Sequence, residues 1–447
     1  MDPIADWHAL LRADEELTPR FTSALTASMR AQKLTFGQRV HCPFLRPFFL
    51  TAVDEARIRV AAETIAALGE RVTRAAFESD DIYDQLGITE AEDALVDIEP
   101  GYQTASTTSR LDAFLLPDSL HFAEYNAESP AGIGYTQRLC ELFDATAVMG
   151  RFRIERQVRF HKVIEALLDA LLASYHEWGG TARPPTMAIV DWRDVPTWTE
   201  FEILRDAFAA AGVPTIVCDP RELMFANGAL TAQGTRIDLV YRRVLVNDIL
   251  AKPAECRALV DACAARAVCM ANSFRCKLVH KKAFFAVLTD PSHATLFSAE
   301  ERAIIRAHVP WTRVVDDVET DKDDWRGDLL ELTRAWREHL VLKPNDEYGG
   351  KGVQLGWEMT ESEWEAAIEA ALADPYGTWV VQERIPVRRE VFPQFDATGR
   401  ISMNDMLVDF APYLFRGRMG GYLTRLSATG LANVTSGGGQ VPAFVVD

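Results

Sequence analysis

In Leu340 to Leu355, LVLKPNDEYGGKGVQL, a lysine stands at the end of an apolar run and a glycine-rich turn follows it. Leu340, Val341 and Leu342 read as a buried strand ending at Lys343-Pro344, where a buried ammonium is costly without an anionic partner. Gly349, Gly350 and Gly352, around Lys351, let the backbone come close to a ligand and turn N–H groups toward it. These are the parts of a phosphate-binding hairpin; an ordinary turn with an exposed lysine uses the same residues. The Gly-x-x-x-x-Gly-Lys-Ser/Thr spacing of a P-loop is absent, and no helix pattern follows the turn.

A second chemical stretch lies far upstream, in Ser109 to Gly134. Strand patterns at Arg110 to Leu115 and Leu120 to Tyr125 flank the turn Pro117-Asp118-Ser119 and predict a hairpin. Glu124 and Asn126 are two apart, so they share a face, and Asp112 can sit opposite them. Two carboxylates and an amide oxygen converging there repel unless a cation joins them, and hard oxygen ligands of this kind suit magnesium. A solvated acidic hairpin is the alternative. Arg242-Arg243 follows an apolar strand pattern, the place where open α/β sheets bind ligands; it reads as a carboxylate-binding arginine or a surface pair. Lys282, opening an apolar helix, is within reach of a phosphate or else solvated.

The elements that must position these groups read as follows. Residues 1–100 form a helical N-terminal region, with apolar residues at three- and four-residue steps in Trp7 to Arg12, Arg20 to Lys33 and Asp54 to Glu78. Residues 101–178 hold the hairpin and further helices. Residues 179–250 alternate strand and helix, which predicts a parallel sheet with covering helices. Residues 251–447 begin with a mostly helical stretch to Leu288 and continue through an acidic Asp316 to Asp328, read as a solvated loop. Strands at Thr378 to Val381, Leu407 to Leu414 and Gly420 to Leu426 follow, with a capping box at Thr360 to Glu363 before a helix. The fold class is α+β/α/β.

With 447 residues, 48% hydrophobic and 25% charged, the chain has the composition of a globular protein with more than one lobe. Its net charge of −18 argues against a general nucleic-acid or anionic-membrane partner. No secretory leader and no membrane-spanning run are read, and the expected compartment is the cytoplasm. Seven cysteines without CxxC pairs are expected to be buried thiols; the six- and seven-residue spacing of Cys256, Cys263, Cys269 and Cys276 suits helix faces.

Taken together, the motifs resemble the ATP-grasp superfamily. In their order they resemble its circularly permuted members, of which glutathionylspermidine synthase is the familiar one. The likeness rests on Arg110-x-Asp112, on Glu124-Tyr125-Asn126-Ala127 followed by Ser129-Pro130, on the glycine-rich lid, and on Gly421-Tyr422-Leu423-Thr424-Arg425 with Ser436 to Gln440. It covers residues of about 100 to 440; no cysteine- and histidine-bearing amidase domain accompanies it. The resemblance implies ATP held by Lys282, Lys343, the Gly349-Gly350-Lys351-Gly352 lid and the hinge Gln382-Glu383-Arg384-Ile385. It implies Mg2+ on Asp112, Glu124 and Asn126, with Arg110 and Arg425 as catalytic residues. The implied reaction joins a small-molecule carboxylate to an amine through an acylphosphate. A catalytically retired ATP-binding scaffold and a small-molecule kinase are the alternatives, and the oligomeric state is open.

Overall fold

The computed structural model describes residues 2–13, 19–36, 39–375, 377–428 and 438–447. Helix α1 (Ala52–Ala76) starts where the Thr51 hydroxyl accepts from the Asp54 N–H, and it buries Ile58, Ile65, Leu68 and Val72 along one face. The expected hairpin follows as β1 (Thr108–Leu115) and β2 (Leu120–Asn126). The alternating segment supplies β3 (Met187–Val190), β4 (Thr215–Cys218) and β5 (Leu239–Arg242), and β6 (Cys269–Ala271) follows it. After the short helix α2 (Cys276–His280) come β7 (Thr312–Val314), β8 (Leu340–Pro344), β9 (Gln354–Leu355) and β10 (Trp379–Glu383). The chain then builds β11 (Arg388–Phe395), β12 (Ile401–Phe415), β13 (Arg418–Ser427) and β14 (Gly439–Val441).

Three of the sheets position the site. The largest has the order β14-β13-β12-β1-β2, with β11 also pairing β12. The early hairpin is therefore completed by strands about three hundred residues later in the chain, the separation of the register partners Arg110 and Tyr413. Strand β12 is buried without interruption from Met406 to Phe415, because α1 covers one face and the rest of the molecule the other. The second sheet, β7-β10-β8-β9, is antiparallel. The third, β6-β5-β3-β4, is wholly parallel, as the strand–helix alternation predicts.

Three local expectations are corrected. Cys269 lies in β6, not on a helix face: Val268 to Ala271 is a short apolar run whose length fits a strand, and it completes the parallel sheet beyond residue 250. Asp316 to Asp328 is not a loop but holds the hairpin Glu319–Lys322 with Trp325–Asp328. Its inward side chains are Thr320 and Lys322; the ammonium pairs with Glu383 at 3.0 Å and lies over the Trp336 ring. A strand forms at Arg388–Phe395 although its Pro393 argues against one; β11 tolerates proline because it is an edge strand, bridged on its other side only at Phe44 opposite Gln394. The Ser436-Gly437 part of the C-terminal motif lies outside the described residues.

All seven cysteines are buried and free, as expected. No described helix is long and apolar enough to cross a membrane.

Behind the parallel sheet runs a buried ionic network. Glu128 is 1% exposed and accepts from Arg242 at 2.9 Å and from Lys277 at 3.4 Å; Lys277 also holds Asp346 at 2.7 Å. Arg242 is thus a structural residue, and the carboxylate-binding reading can apply only to Arg243. Glu128→Ala is expected to cost about 3–5 kcal/mol, since it leaves Arg242 charged and uncompensated in the interior. Denaturant midpoints of the variant and of the parent measure it.

Candidate functional site

A cavity of about 690 Å³ lies where the three sheets meet, and nearly all of the expected groups face it. Strands β1 and β2 put Asp112 directly opposite Glu124 and Arg110 opposite Asn126. The register shifts between Asp112 and Ala113, a bulge that turns the hairpin end. Asp112, Glu124 and Asn126 therefore share one face, as their spacing implied.

Within this face the charges are tightly paired. Asp112 accepts from Arg110 Nε at 2.6 Å and Nη2 at 3.1 Å, and from Arg425 Nη2 at 2.6 Å. Burial alone would raise the Asp112 carboxyl, but the two guanidiniums hold it well below the usual carboxylate range. Arg425 also binds Asp409, its partner across β12 and β13. Asp409 is 1% exposed, and burial pushes its carboxyl up to about 6 against the pull of Arg425. Sequence reasoning missed Asp409, although a lone acid inside the apolar run Leu407 to Leu414 was a usable signal.

Glu124 accepts from Asn126 Nδ2 at 3.0 Å and lies 3.6 Å from Lys282 Nζ. Burial opposes its charge; Lys282 and Lys343 favour it, and its carboxyl sits below the ordinary value. Donating through Nδ2, Asn126 keeps its Oδ1 as an acceptor. Hard oxygen donors on one face fit Mg2+. Among the described residues no group of three His, Cys, Asp or Glu side chains is arranged to hold a metal. The Asp-Glu-Asn trio has only two carboxylates, and one of them is engaged by arginines.

Lys343 lies beside this face. Its ammonium donates to Gln382 Oε1 at 2.6 Å and to the Ala123 carbonyl at 3.2 Å, both neutral acceptors. Burial, only partly offset by Glu124, lowers its pKa to about 8. Gln382 is in turn fixed by donating to the Thr312 hydroxyl at 3.0 Å.

The glycine-rich turn leaves β8 at a pinned root. Asn345 is 2% exposed; its side chain accepts from the Ala283 N–H and donates to Leu86 O and Thr378 Oγ1. The Lys282 ammonium donates to the Glu347 carbonyl. Beyond that root the turn is exposed, and Gly349 and Gly350 line the cavity mouth. Gly352 has φ +75°, and a Cβ there would fall 2.7 Å from Pro344, so only glycine closes the turn. Lys282, Lys351 and Gly352 do not line the cavity; Lys282 reaches it only through its contact with Glu124. Lys351 is exposed and paired with Glu347 at 2.8 Å, because a flexible side chain at the tip of a turn finds solvent and its i−4 carboxylate first.

At the hinge, Gln382, Glu383, Arg384 and Ile385 all line the cavity. Val341 and Leu355 from the small sheet, with Ile385 and Leu407, form an apolar slot between two sheets. Arg384 lies 4.2 Å over the Trp357 ring and Glu383 is held by Lys322. The opposite end of the cavity is built by Asp191, Arg243 and Asp248 at the carboxyl edge of the parallel sheet, and His280 also faces in. Burial raises the Asp191 carboxyl to about 6.

No family model and no curated protein matches the sequence. Among solved structures, the chain is similar to a glutathione synthetase like-effector from Globodera pallida in its apo form. The TM-score is 0.63 at 12% identity, covering 97% of this chain and 98% of that one. A putative gamma-glutamylcysteine synthetase from Methylobacillus flagellatus KT overlaps more loosely, with a TM-score of 0.42 at 9% identity over 86% and 85% of the two chains. The fold is a mixed α/β one, similar over almost its whole length to that of the glutathione synthetase like-effector.

Proposed function

We propose that the protein is an ATP-dependent carboxylate–amine ligase whose active site is this cavity. The observation that carries the reading is Lys343: a cation with only neutral hydrogen-bond acceptors, beside two opposed carboxylates and below a glycine-rich turn. That arrangement asks for an anion with its own divalent cation, which a nucleoside triphosphate with Mg2+ provides. The likeness in fold to a glutathione synthetase like-effector supports it. The pairing of an early hairpin with the last strands in one sheet supports the circularly permuted order.

In this reading the apolar slot takes the base, and the Gln382 to Ile385 segment borders it. Lys282 and Lys343 offset phosphate charge. Asp112, Glu124 and Asn126 would hold Mg2+, which when bound neutralises the β- and γ-phosphates. A substrate carboxylate oxygen attacks the γ-phosphorus and ADP leaves, giving an acylphosphate. The amine nitrogen then attacks the acyl carbon, the C–O bond to phosphate breaks, and the amine sheds its proton as the amide forms. Arg110 and Arg425 stabilise the transferred phosphoryl and the tetrahedral oxyanion. The Gly349 to Gly352 turn closes over the site and keeps water from the acylphosphate. A cytoplasmic location fits seven reduced thiols.

The full engagement of Asp112 by two arginines favours one second reading, a nucleotide-binding protein without turnover. Assays of ADP release against carboxylates, amines and pairs of them distinguish the two. The ligase releases ADP and phosphate only with a pair, and the product mass equals acid plus amine minus water. Nucleotide binding without turnover supports the second reading, and a phosphorylated product without an amide points to a kinase.

A further inference from the structure

We infer that the Asp191–Arg243–Asp248 end of the cavity is a subsite for a zwitterionic head group, an ammonium and a carboxylate carried on one carbon, as in an α-amino acid. What happens to that substrate rests on the ligase reading; its binding rests on the geometry alone.

Asp191 and Arg243 directly follow β3 and β5, adjacent parallel strands, and the Arg243 N–H donates to Val190 O at 2.9 Å. Neighbouring strands run about 4.8 Å apart, so one small head group reaches both side chains. Both are deeply buried, 7% and 5% exposed, and both line the cavity. Neither lies within ion-pair distance of the other or of any other described charge, although Asp191 and the buried Glu200 both act on Arg243 through space. Arg243 donates through Nη1 to Pro130 O at 2.7 Å and to the Tyr241 hydroxyl at 3.1 Å, while its Nε–H is buried without a partner. Asp191 accepts the Trp192 N–H on Oδ1 at 2.8 Å, and its second oxygen has no donor among the described residues. Asp248 adds a second negative charge from the short helix Val246–Ala251.

A buried guanidinium and a buried carboxylate that do not pair are each costly, and each is satisfied by a ligand of the opposite charge. A plain amine would leave the buried Arg243 Nε–H unanswered, and a plain acid would leave Asp191 and Asp248 facing each other. A head group with both charges answers all three. The apolar Val195 and Pro196 line the cavity near this end and leave the rest of such a molecule an unspecific wall.

The test uses the full chain without nucleotide. Calorimetry compares common L-amino acids, each with its des-amino acid and its decarboxylated amine. At least one amino acid is expected to bind about tenfold or more tightly than either counterpart. Asp191→Asn should weaken the amino acid about tenfold and leave the des-amino acid unchanged, and Arg243→Met should give the mirror pattern. Should Arg243→Met not fold, Arg243→Lys and Asp191→Asn still show the split. The inference is overturned if no amino acid binds, or if the substitutions affect all three ligands alike. A split without any ADP release sinks the ligase reading alone; paired-substrate ADP release without the split sinks this inference alone.

Discussion

Lys343→Met is expected to cut turnover by two orders of magnitude or more while making the free protein more stable. The two effects have one cause. Lys343 is a charge held in the interior by neutral acceptors, and burial lowers its pKa from 10.5 to about 8. Between about pH 8 and 10.5 the unfolded chain binds more protons than the folded one, so stability of the parent rises with pH across that window. Below it the full penalty is present, about 1–3 kcal/mol near pH 7. Methionine matches the lysine stem without the charge, so the variant gains that amount less the cost of leaving the buried Gln382 Oε1 without its donor. The catalytic loss follows because a preorganised cation facing developing phosphate charge is worth about 3–4 kcal/mol. Denaturant midpoints at pH 7 and pH 10.5 check the first half: the gain should shrink at the higher pH. ADP release checks the second. A variant that is both inactive and less stable would mean that Lys343 holds the fold together.

Asp112→Ala is the opposite case, losing both stability and turnover. Arg110 is 7% exposed and has Asp112 as its ion-pair partner; Arg425 would keep only Asp409. Breaking a buried pair from one side costs about 3–5 kcal/mol. Because its folded pKa is depressed, the Asp112 contribution is complete above the unfolded carboxylate value and is lost as pH falls below it. The parent and the variant should therefore converge in stability in acid. A double variant with Arg110→Met restores part of the lost stability by removing the stranded charge, but no activity. Should the single variant unfold at the same denaturant midpoint as the parent, the pairing at Asp112 contributes nothing net.

How much of this was legible beforehand depends on the residue. The Asp112/Glu124/Asn126 face was readable because strand periodicity is local: residues two apart share a face, and a short turn forces two strands together. Lys343 was readable because a lysine closing an apolar run is an anomaly that composition exposes. The capping box at Thr360 and Glu363 formed as written, with both reciprocal hydrogen bonds present. Lys351 misled because a glycine-rich tip does not say which way a long side chain points, and the Glu347 carboxylate four residues earlier claimed it.

By itself, then, the sequence determined the Thr108–Asn126 hairpin, the parallel α/β layer, the buried thiols and the anomalous charges, all of which follow from patterns within some ten residues. Only the tertiary structure decided their partners. That Arg425 reaches Asp112 across three hundred residues, that Asp409 shares it, and that Arg242 belongs to Glu128 while Arg243 faces a cavity depend on which strands become neighbours. Charge pairing in an interior acts through space over a few ångströms, and that distance is set by sheet order, which no local pattern of residues encodes.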